Sequence, residues 1–342
     1  MQNIKDLSFD ELKAILKDWG ESEFHAKQIF SWLYKRAVPD FGQMTDIPLS
    51  LRGKLKENFL ISCLTLEKKM QSSDGTEKLL FQLDDSNYIE TVIIPEKNRV
   101  TGCLSSQAGC KFKCSFCASG RSGFKRNLQK VEILDQALFI KRALPEKDLT
   151  HIVFMGTGEP LDNYDNVLSA IRIINSHLGL NIGARRITIS TAGFIPGIRR
   201  LKGEGIQLEL SVSLHAAIDA TRSFLMPINK VYPLKDLMKE CREYINATNR
   251  QITFEYTLIQ GINSDLQNAK ELSKILRDMN CKVNLIVCNP VEELGFNPPG
   301  KLEMLIFKDC LIKSGVRVTL RKARGKDIDA ACGQLRLRYE SK

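Results

Sequence analysis

No stretch of the 342 residues is both long enough and free enough of charge to cross a membrane as a helix. The most nearly apolar run, Ile187–Ile198, falls well short of the ~20 residues such a span needs. The N-terminal MQNIKDLSFDELK carries a charge every few residues, so it lacks the apolar stretch of a secretory leader. Internal repeats and low-complexity linkers are also missing, which argues against repetitive, collagen-like and disordered chains. These absences lead us to expect a soluble, cytoplasmic chain with no membrane partner. Its ten cysteines should then be reduced unless metal or redox chemistry claims them.

What is present is a foldable composition, 43% hydrophobic and 26% charged, with a formal net charge of +10. The positive surplus favours a polyanionic partner, the plain alternative being a merely basic soluble protein. Residues 1–60 read as a helical accessory module. Ser8-Phe-Asp-Glu11 is a capping box ahead of Leu12, Ile15 and Leu16. Gly20 breaks that helix, Ile29, Phe30, Trp32 and Leu33 mark a second, and Leu49–Phe59 a third. Residues 61–98 read as a β extension, with Leu79–Leu83 and Tyr88–Ile94 flanking a turn at Asp84–Asn87.

From 99 to 320, strands expected at Val100–Ser105, Ile152–Met155, Arg186–Thr191, Leu208–Leu214, Ile252–Leu258, Val283–Cys288 and Val316–Leu320 alternate with helical patterns. Those helices include Val131–Ala143, Val167–His177, Leu234–Ala247 and Leu266–Met279. The alternation implies a parallel sheet whose carboxyl edge carries the chemistry. Six or seven units are too few for a closed eight-unit barrel. The expected fold is therefore α/β, a partial (β/α)6-type barrel, followed by a tail over 321–342.

Cys110-Lys-Phe-Lys-Cys114-Ser-Phe-Cys117 is the most informative segment. Three thiolates in one short loop after the first barrel strand are soft ligands suited to iron–sulfur ligation. Structural zinc usually takes four protein ligands, and the one further donor nearby is Cys103, upstream. The pattern points to a cluster with one iron left open, against zinc or coincidence. Gly156-Thr-Gly-Glu-Pro160 follows the second strand. Its glycines let backbone approach a ligand and Glu159 can accept from an ammonium, though a bland strand-to-helix turn explains it as well.

The CxxxCxxC spacing resembles the radical S-adenosylmethionine (SAM) enzymes, and further segments narrow the resemblance. Cys103-Leu-Ser-Ser-Gln-Ala-Gly-Cys110, Gly123–Leu128, Ser213-Leu-His215, Leu225–Asn229 and Asp327–Leu335 occur in order, along with Gln28–Lys35 and Met44–Leu51. Over nearly its whole length the chain is similar to the radical-SAM adenine-C2 methyltransferases of large-subunit (23S) ribosomal RNA, some of which also modify transfer RNA. Thr157 stands where that family more often has methionine, and Ala118-Ser119 varies the segment after the cluster.

The resemblance implies a [4Fe-4S] cluster on Cys110, Cys114 and Cys117, with SAM bound at the open iron. It assigns SAM contacts to Gly158, Glu159, Ser190, Ser213, Leu214, His215 and Asn289, all expected near strand carboxyl ends. His215 could otherwise be a general base or a core histidine. The implied mechanism answers a chemical problem, because C2 of adenine is too electron-poor for ordinary methyl displacement. One SAM methylates Cys332, a second yields a radical that takes hydrogen from the S-methyl group, and the carbon radical adds to C2. Cys103 then attacks the sulfur of Cys332, and the resulting disulfide releases the product. Glu90 matches the base that removes the C2 proton, although a strand carboxylate read on its own would be a solvated charge.

Free cysteines are commonly small buried hydrophobes, and Cys63, Cys241, Cys281, Cys288 and Cys310 read that way. Cys332 follows the cationic Arg321-Lys-Ala-Arg-Gly-Lys-Asp327, which favours a reactive thiol. Lys111, Lys113, Arg121, Lys125 and Arg126 surround the cysteine triplet, and Arg321, Lys322, Arg324 and Lys326 precede Cys332. Such a rim can neutralise RNA phosphates, with affinity falling as salt rises. The target adenine must be unstacked to reach a buried site. No ribonucleoprotein-type aromatic pair is present, so the N-terminal helices are the candidate RNA platform. A flavodoxin-type external one-electron reductant and a monomeric state are the further expectations. The rival readings are a C8-adenine methyltransferase of the sister family, a zinc-stabilised RNA-binding protein, and a radical-SAM enzyme acting on a small molecule or peptide.

Overall fold

The computed structural model describes residues 1–121, 123–144, 146–288, 295–321 and 324–328. Ser8 caps the first helix (Phe9–Asp18) reciprocally. Its Oγ accepts from the Glu11 N–H at 3.2 Å, and Glu11 Oε2 accepts from the Ser8 N–H at 2.6 Å. Gly20, with φ at +77°, turns the chain out of that helix. The second helix (Glu23–Phe30) continues into a π turn over Ser31–Lys35. Trp32, Leu33 and Tyr34 of that turn are all buried, beside Ile29 and Phe30. A third helix (Leu49–Asn58) buries Leu51 and Leu55. The short strands β1 (Gln2–Asn3) and β2 (Phe59–Leu60) pair in parallel and close the module.

Among the described residues the remaining framework is a sheet of ten strands. β3 (Thr65–Gln71), β4 (Glu77–Gln82) and β5 (Tyr88–Glu96) are antiparallel neighbours, and β5 pairs antiparallel with β6 (Arg99–Cys103). β7 (Gln107–Gly109) and β8 (Phe124–Asn127) form a separate hairpin. Then β9 (His151–Phe154), β10 (Ile187–Thr191), β11 (Glu209–Ser213), β12 (Ile252–Leu258), β13 (Cys281–Val287) and β14 (Arg317–Leu320) extend from β6 in chain order. The pairings from β6 to β9 and onward to β14 are all parallel. Helices cover the crossovers, among them Lys130–Ala143, Tyr164–Asn175, Ile195–Leu201, Leu234–Thr248, Leu266–Ile275 and Lys301–Lys313. Among the described residues β3 and β14 end the sheet, which leaves the barrel open as expected.

The helical module and the barrel share one continuous apolar core. A buried ion pair between Lys5 and Asp135 also joins them. Ser62 takes the Lys5 ammonium on its carbonyl oxygen at 2.6 Å and donates its hydroxyl to Asp135 at 3.2 Å. Among the described residues no helix is long and apolar enough to cross a membrane. The cysteines expected to be core divide. Cys241, Cys281 and Cys288 are buried, Cys310 is half-buried, and Cys63 is exposed. Cys63 lies in the connector between β2 and β3, where Ile61 and Leu64 on either side pack against the core instead.

Candidate active site

The three-cysteine loop is the tip of the β7/β8 hairpin, an element the sequence reading did not foresee. Its neck is pinched by two glycines. The Cys110 N–H donates to the Gly123 carbonyl at 3.2 Å, and a Cβ on Gly109 (φ +78°) would lie 1.7 Å from that same oxygen. Inside the loop, the Cys117 N–H donates to the Cys114 carbonyl at 3.0 Å, and the Ser115 N–H donates to Leu225 at 2.9 Å. Lys111 and Lys113 point outward, while Phe112, Cys114 and Phe116 pack on an apolar cluster of Ala216, Leu225, Met226, Ile228, Ile259 and Cys288. Phe116 meets His215 edge-on, with ring centroids 4.7 Å apart. The alternation of lysine and phenylalanine thus seats the thiols at the boundary between a dry interior and solvent.

Cys110, Cys114 and Cys117 are all half-buried. Burial pushes the Cys110 thiol up to about 12 and lifts Cys114 well above its ordinary value, and the neighbouring Cys117 raises both further. Thiols placed this way ionise together only against a bound cation. Among the described residues no three His, Cys, Asp or Glu side chains already close on a metal-sized gap. The donor set itself, three thiols from one loop, fits an iron–sulfur cluster better than a four-ligand zinc site.

The segment after β9 lies directly on the chain between β6 and β7. The Thr157 carbonyl accepts from Ser106 and Gln107 N–H at 2.9 and 3.1 Å, and the Thr157 N–H donates to Ser105 Oγ at 2.8 Å. A Cβ on Gly156 would meet Leu104 backbone at 2.7 Å, and one on Gly158 (φ +104°) would meet Gln107 at 2.5 Å. Both glycines are therefore required by loop-on-loop packing, whatever they also offer a ligand. Glu159 is buried. Its Oε1 accepts from the Leu161 N–H at 3.2 Å and its Oε2 from Ala192 N–H at 2.7 Å, so the carboxyl group latches the β9 and β10 ends together. Burial raises it to about 7, with the Ala192 hydrogen bond opposing.

Ser190 is half-buried on β10, in register with Ser211. Ser213 ends β11, followed by buried Leu214 and His215. His215 adopts φ +55°, held there by Asn263, whose Nδ2 donates to its carbonyl at 2.6 Å. Its Nδ1 accepts from the Thr257 N–H at 3.0 Å, which leaves the ring proton on Nε2. Burial pushes the imidazole down to about 3, reinforced by Arg222. It is a neutral wall of the site, and a general-base role does not fit. Asn289 lies outside the described residues.

Arg222 was not singled out by the sequence reading. Fully buried, its guanidinium donates to the carbonyls of Ala192 (2.8 Å), Ser213 (3.3 Å) and Leu214 (3.2 Å) and to Asn229 Oδ1 (2.8 Å). It thus ties the ends of β10 and β11 to the Leu225–Asn229 segment beside the cysteine loop. Only its place between two recognised motifs hinted at it.

Cys103 ends β6, in register with Val92 on β5 and Val153 on β9. It is buried, and burial pushes its thiol up to about 11, offset in part by Arg321. Glu90 is not the solvated strand charge that composition alone favoured. It is 3% exposed and sits 3.3 Å from the Nζ of an equally buried lysine, Lys78. Cys332 lies outside the described residues, as do Ser122 and Lys322. Parts of the basic rim are already engaged. Lys111 pairs with Asp162 at 2.5 Å, Arg126 with Glu132 at 2.7 Å and also with Asp85, and Arg324 with Glu96 at 3.6 Å. Lys113, Lys125 and Arg321 are exposed.

Known proteins resemble the chain over nearly its whole length. Residues 2–61 match the ribosomal RNA large subunit methyltransferase N-terminal domain, and residues 104–273 match the radical SAM superfamily. The chain is 46% identical over 340 residues to the "Probable dual-specificity RNA methyltransferase RlmN" of Thermoanaerobacter sp. (strain X514), covering 99% of each protein. It is 44% identical over 337 residues to the protein of the same name from Staphylococcus aureus (strain JH9), covering 98% of this chain and 93% of that one. The crystal structure of a radical SAM methyltransferase from Sphaerobacter thermophilus superposes with a TM-score of 0.93 at 42% identity, covering 98% of this chain and 99% of that one.

Proposed function

The chain belongs to the RlmN-type RNA methyltransferases of the radical SAM superfamily, and on that premise we propose that it methylates C2 of an adenosine in 23S ribosomal RNA and of an adenosine in transfer RNA. The observation that supports this best is a CxxxCxxC loop at the carboxyl edge of the parallel strands, in a chain that matches such enzymes from end to end. Cys110, Cys114 and Cys117 would hold a [4Fe-4S] cluster. Gly158, Glu159, Ser190, Ser213, Leu214, His215 and Asn289 would contact SAM. Cluster and SAM, when bound there, would supply the one-electron chemistry able to open a C–H bond of an S-methyl group.

The chain's own residues do the rest in this reading. The Cys332 thiol takes the methyl group from SAM and carries its carbon to the base. The buried carboxylate of Glu90 removes the C2 proton, and Cys103 frees the product by forming a disulfide with Cys332. The apolar cluster under Phe112 and Phe116 keeps water from the reacting atoms. Exposed Lys113, Lys125 and Arg321 at the mouth meet RNA phosphates around an unstacked adenine. A soluble monomer reduced by a flavodoxin-type protein completes the proposal.

Pro160 and the Gly123–Leu128 segment favour C2 over C8 as the target. Mass spectrometry of nucleosides from RNA treated with the reconstituted protein tests this. We expect 2-methyladenosine, and 8-methyladenosine would move the protein to the sister reaction.

A further inference from the structure

Fully buried lysines occur almost only when paired, because an ammonium without a partner is costly to desolvate. Lys78 is such a residue, 0% exposed on β4. Its Nζ stands 3.3 Å from Oε1 of Glu90 on β5. The sheet register places these groups with respect to the chemistry. Lys78 is opposite Val92, and Val92 is opposite Cys103 on β6, so Lys78 and Cys103 lie in one row across three strands. Side chains alternate along a strand, so Glu90, two residues before Val92, shares their face. The intervening Thr91 takes the other face, where its hydroxyl donates to Gln136 of the outer helix Lys130–Ala143 at 2.8 Å. Lys78, Glu90 and Cys103 therefore look together into the barrel, away from the helical layer.

Glu90 is also fixed through its backbone. Its carbonyl accepts from Ser105 Oγ at 2.5 Å, and the same oxygen of Ser105 accepts from the Thr157 N–H of the glycine-rich segment at 2.8 Å. The carboxylate thus sits on a strand pinned to both site loops, while its charge is balanced by a group on the next strand. Of its β4 neighbours, Leu79 and Phe81 take the outer face, where Phe81 meets Phe139 of the helix, and Leu80, fully buried, shares the inner face with Lys78.

We propose that Lys78 is a positioning residue for removal of the C2 proton, holding the Glu90 carboxylate through their ion pair and aiming it at the adenine C2 hydrogen. The inference rests on the reading of Glu90 as the base. The step it governs is a proton transfer. The C2 hydrogen of the protein–RNA adduct leaves as a proton to a Glu90 oxygen, its electron pair stays with the adduct, and the pair becomes a neutral carboxyl group beside the Lys78 ammonium. A neutral residue at 78 removes the charged group that stands 3.3 Å from Glu90 Oε1, and a buried carboxylate that loses its ion-pair partner is no longer held in place by it.

The test uses the full-length, cluster-reconstituted protein as wild type, E90Q, K78M and K78M/E90Q, with RNA and SAM under anaerobic conditions. It follows three readouts: the denaturant-resistant protein–RNA adduct on gels, methylated nucleoside, and RNA affinity. We expect E90Q and K78M each to accumulate adduct and to lose at least tenfold in product, with RNA affinity within threefold of wild type. We expect the double variant to be no worse than E90Q alone. Wild-type adduct levels in K78M, or losses that multiply in the double variant, would overturn the role of Lys78. E90Q without adduct would instead take down the reading of Glu90 as the base, a distinguishable failure. K78R covers the case in which the methionine variant does not fold. Keeping the charge, it should resolve its adduct, and a folded K78R that accumulates adduct as E90Q does would also overturn the proposal.

Discussion

At the residue scale, the site is built from polar groups whose charge states are set by burial and by backbone partners. His215 shows how far this goes. It is held near 3 in the folded protein against about 6.5 in the unfolded chain. As pH falls, the unfolded chain takes up this proton first, so the stability His215 contributes is complete above pH ~6.5 and is lost as pH drops toward its folded value. Between pH 7.5 and pH 5 the loss is about 2 kcal/mol. Urea unfolding of metal-free protein at those two pH values should show His215→Gln losing about 2 kcal/mol less than wild type. An equal loss in both would mean that His215 is not buried neutral. The sequence pointed to His215 through Ser213-Leu-His215, but it left base, core and pocket roles open. What counts against the base role is the Thr257 N–H on Nδ1 together with burial beside Arg222, contacts made across strands that sequence spacing cannot express. Lys78 and Arg222 were invisible for the same reason, since a charged residue in a strand or short helix ordinarily reads as solvated.

At the element scale, the strand–helix alternation was legible because each barrel strand is a short apolar run between turn residues. All seven parallel strands fall where that pattern put them, within a few residues. The β7/β8 hairpin was not legible. Its strands are three and four residues long, and β8 is largely exposed, so no alternation marks it. Yet this hairpin presents the cysteines, and its neck makes a sharp prediction. Gly109→Ala places a Cβ 1.7 Å from the Gly123 oxygen at a backbone φ of +78°. We expect it to abolish iron loading on reconstitution, measured by iron content and visible absorbance, while far-ultraviolet circular dichroism stays close to wild type. Gly20→Ala is the control. It shares a left-handed φ of +77° but meets nothing within 4 Å, so it should cost only ~1–2 kcal/mol of stability and load iron normally. Normal iron loading in Gly109→Ala would show that the pinched neck does not shape the cluster loop.

At the scale of the whole molecule, the helical module is fused to the barrel through a common core and the buried Lys5–Asp135 pair. The capping box and apolar spacing made the module's helices readable, whereas a lysine at position 5 gave no sign of meeting position 135. Lys5→Met should cost about 3–5 kcal/mol in urea unfolding, because it strands a buried carboxylate. Lys5→Met/Asp135→Leu should recover most of that loss, since the expense lies in the unpaired charge. A Lys5→Met variant as stable as wild type would mean the pair does not hold the two parts together. A module rigidly joined to the barrel suits an enzyme that must present an unstacked base of a large RNA to a recessed site.

The central claim is that the methyl carbon reaches RNA by way of Cys332, in front of a cluster held by Cys110, Cys114 and Cys117. The most direct measurement is a first-turnover experiment with protein carrying its unlabelled methyl group, given trideuteromethyl-SAM, reductant and RNA without air. The account predicts that the first methylated adenosine carries carbon from the unlabelled protein methyl group, that deuterated methyl enters only in later turnovers, and that Cys332→Ala gives no product. Deuterated methyl in the first turnover, or product from Cys332→Ala, would contradict it.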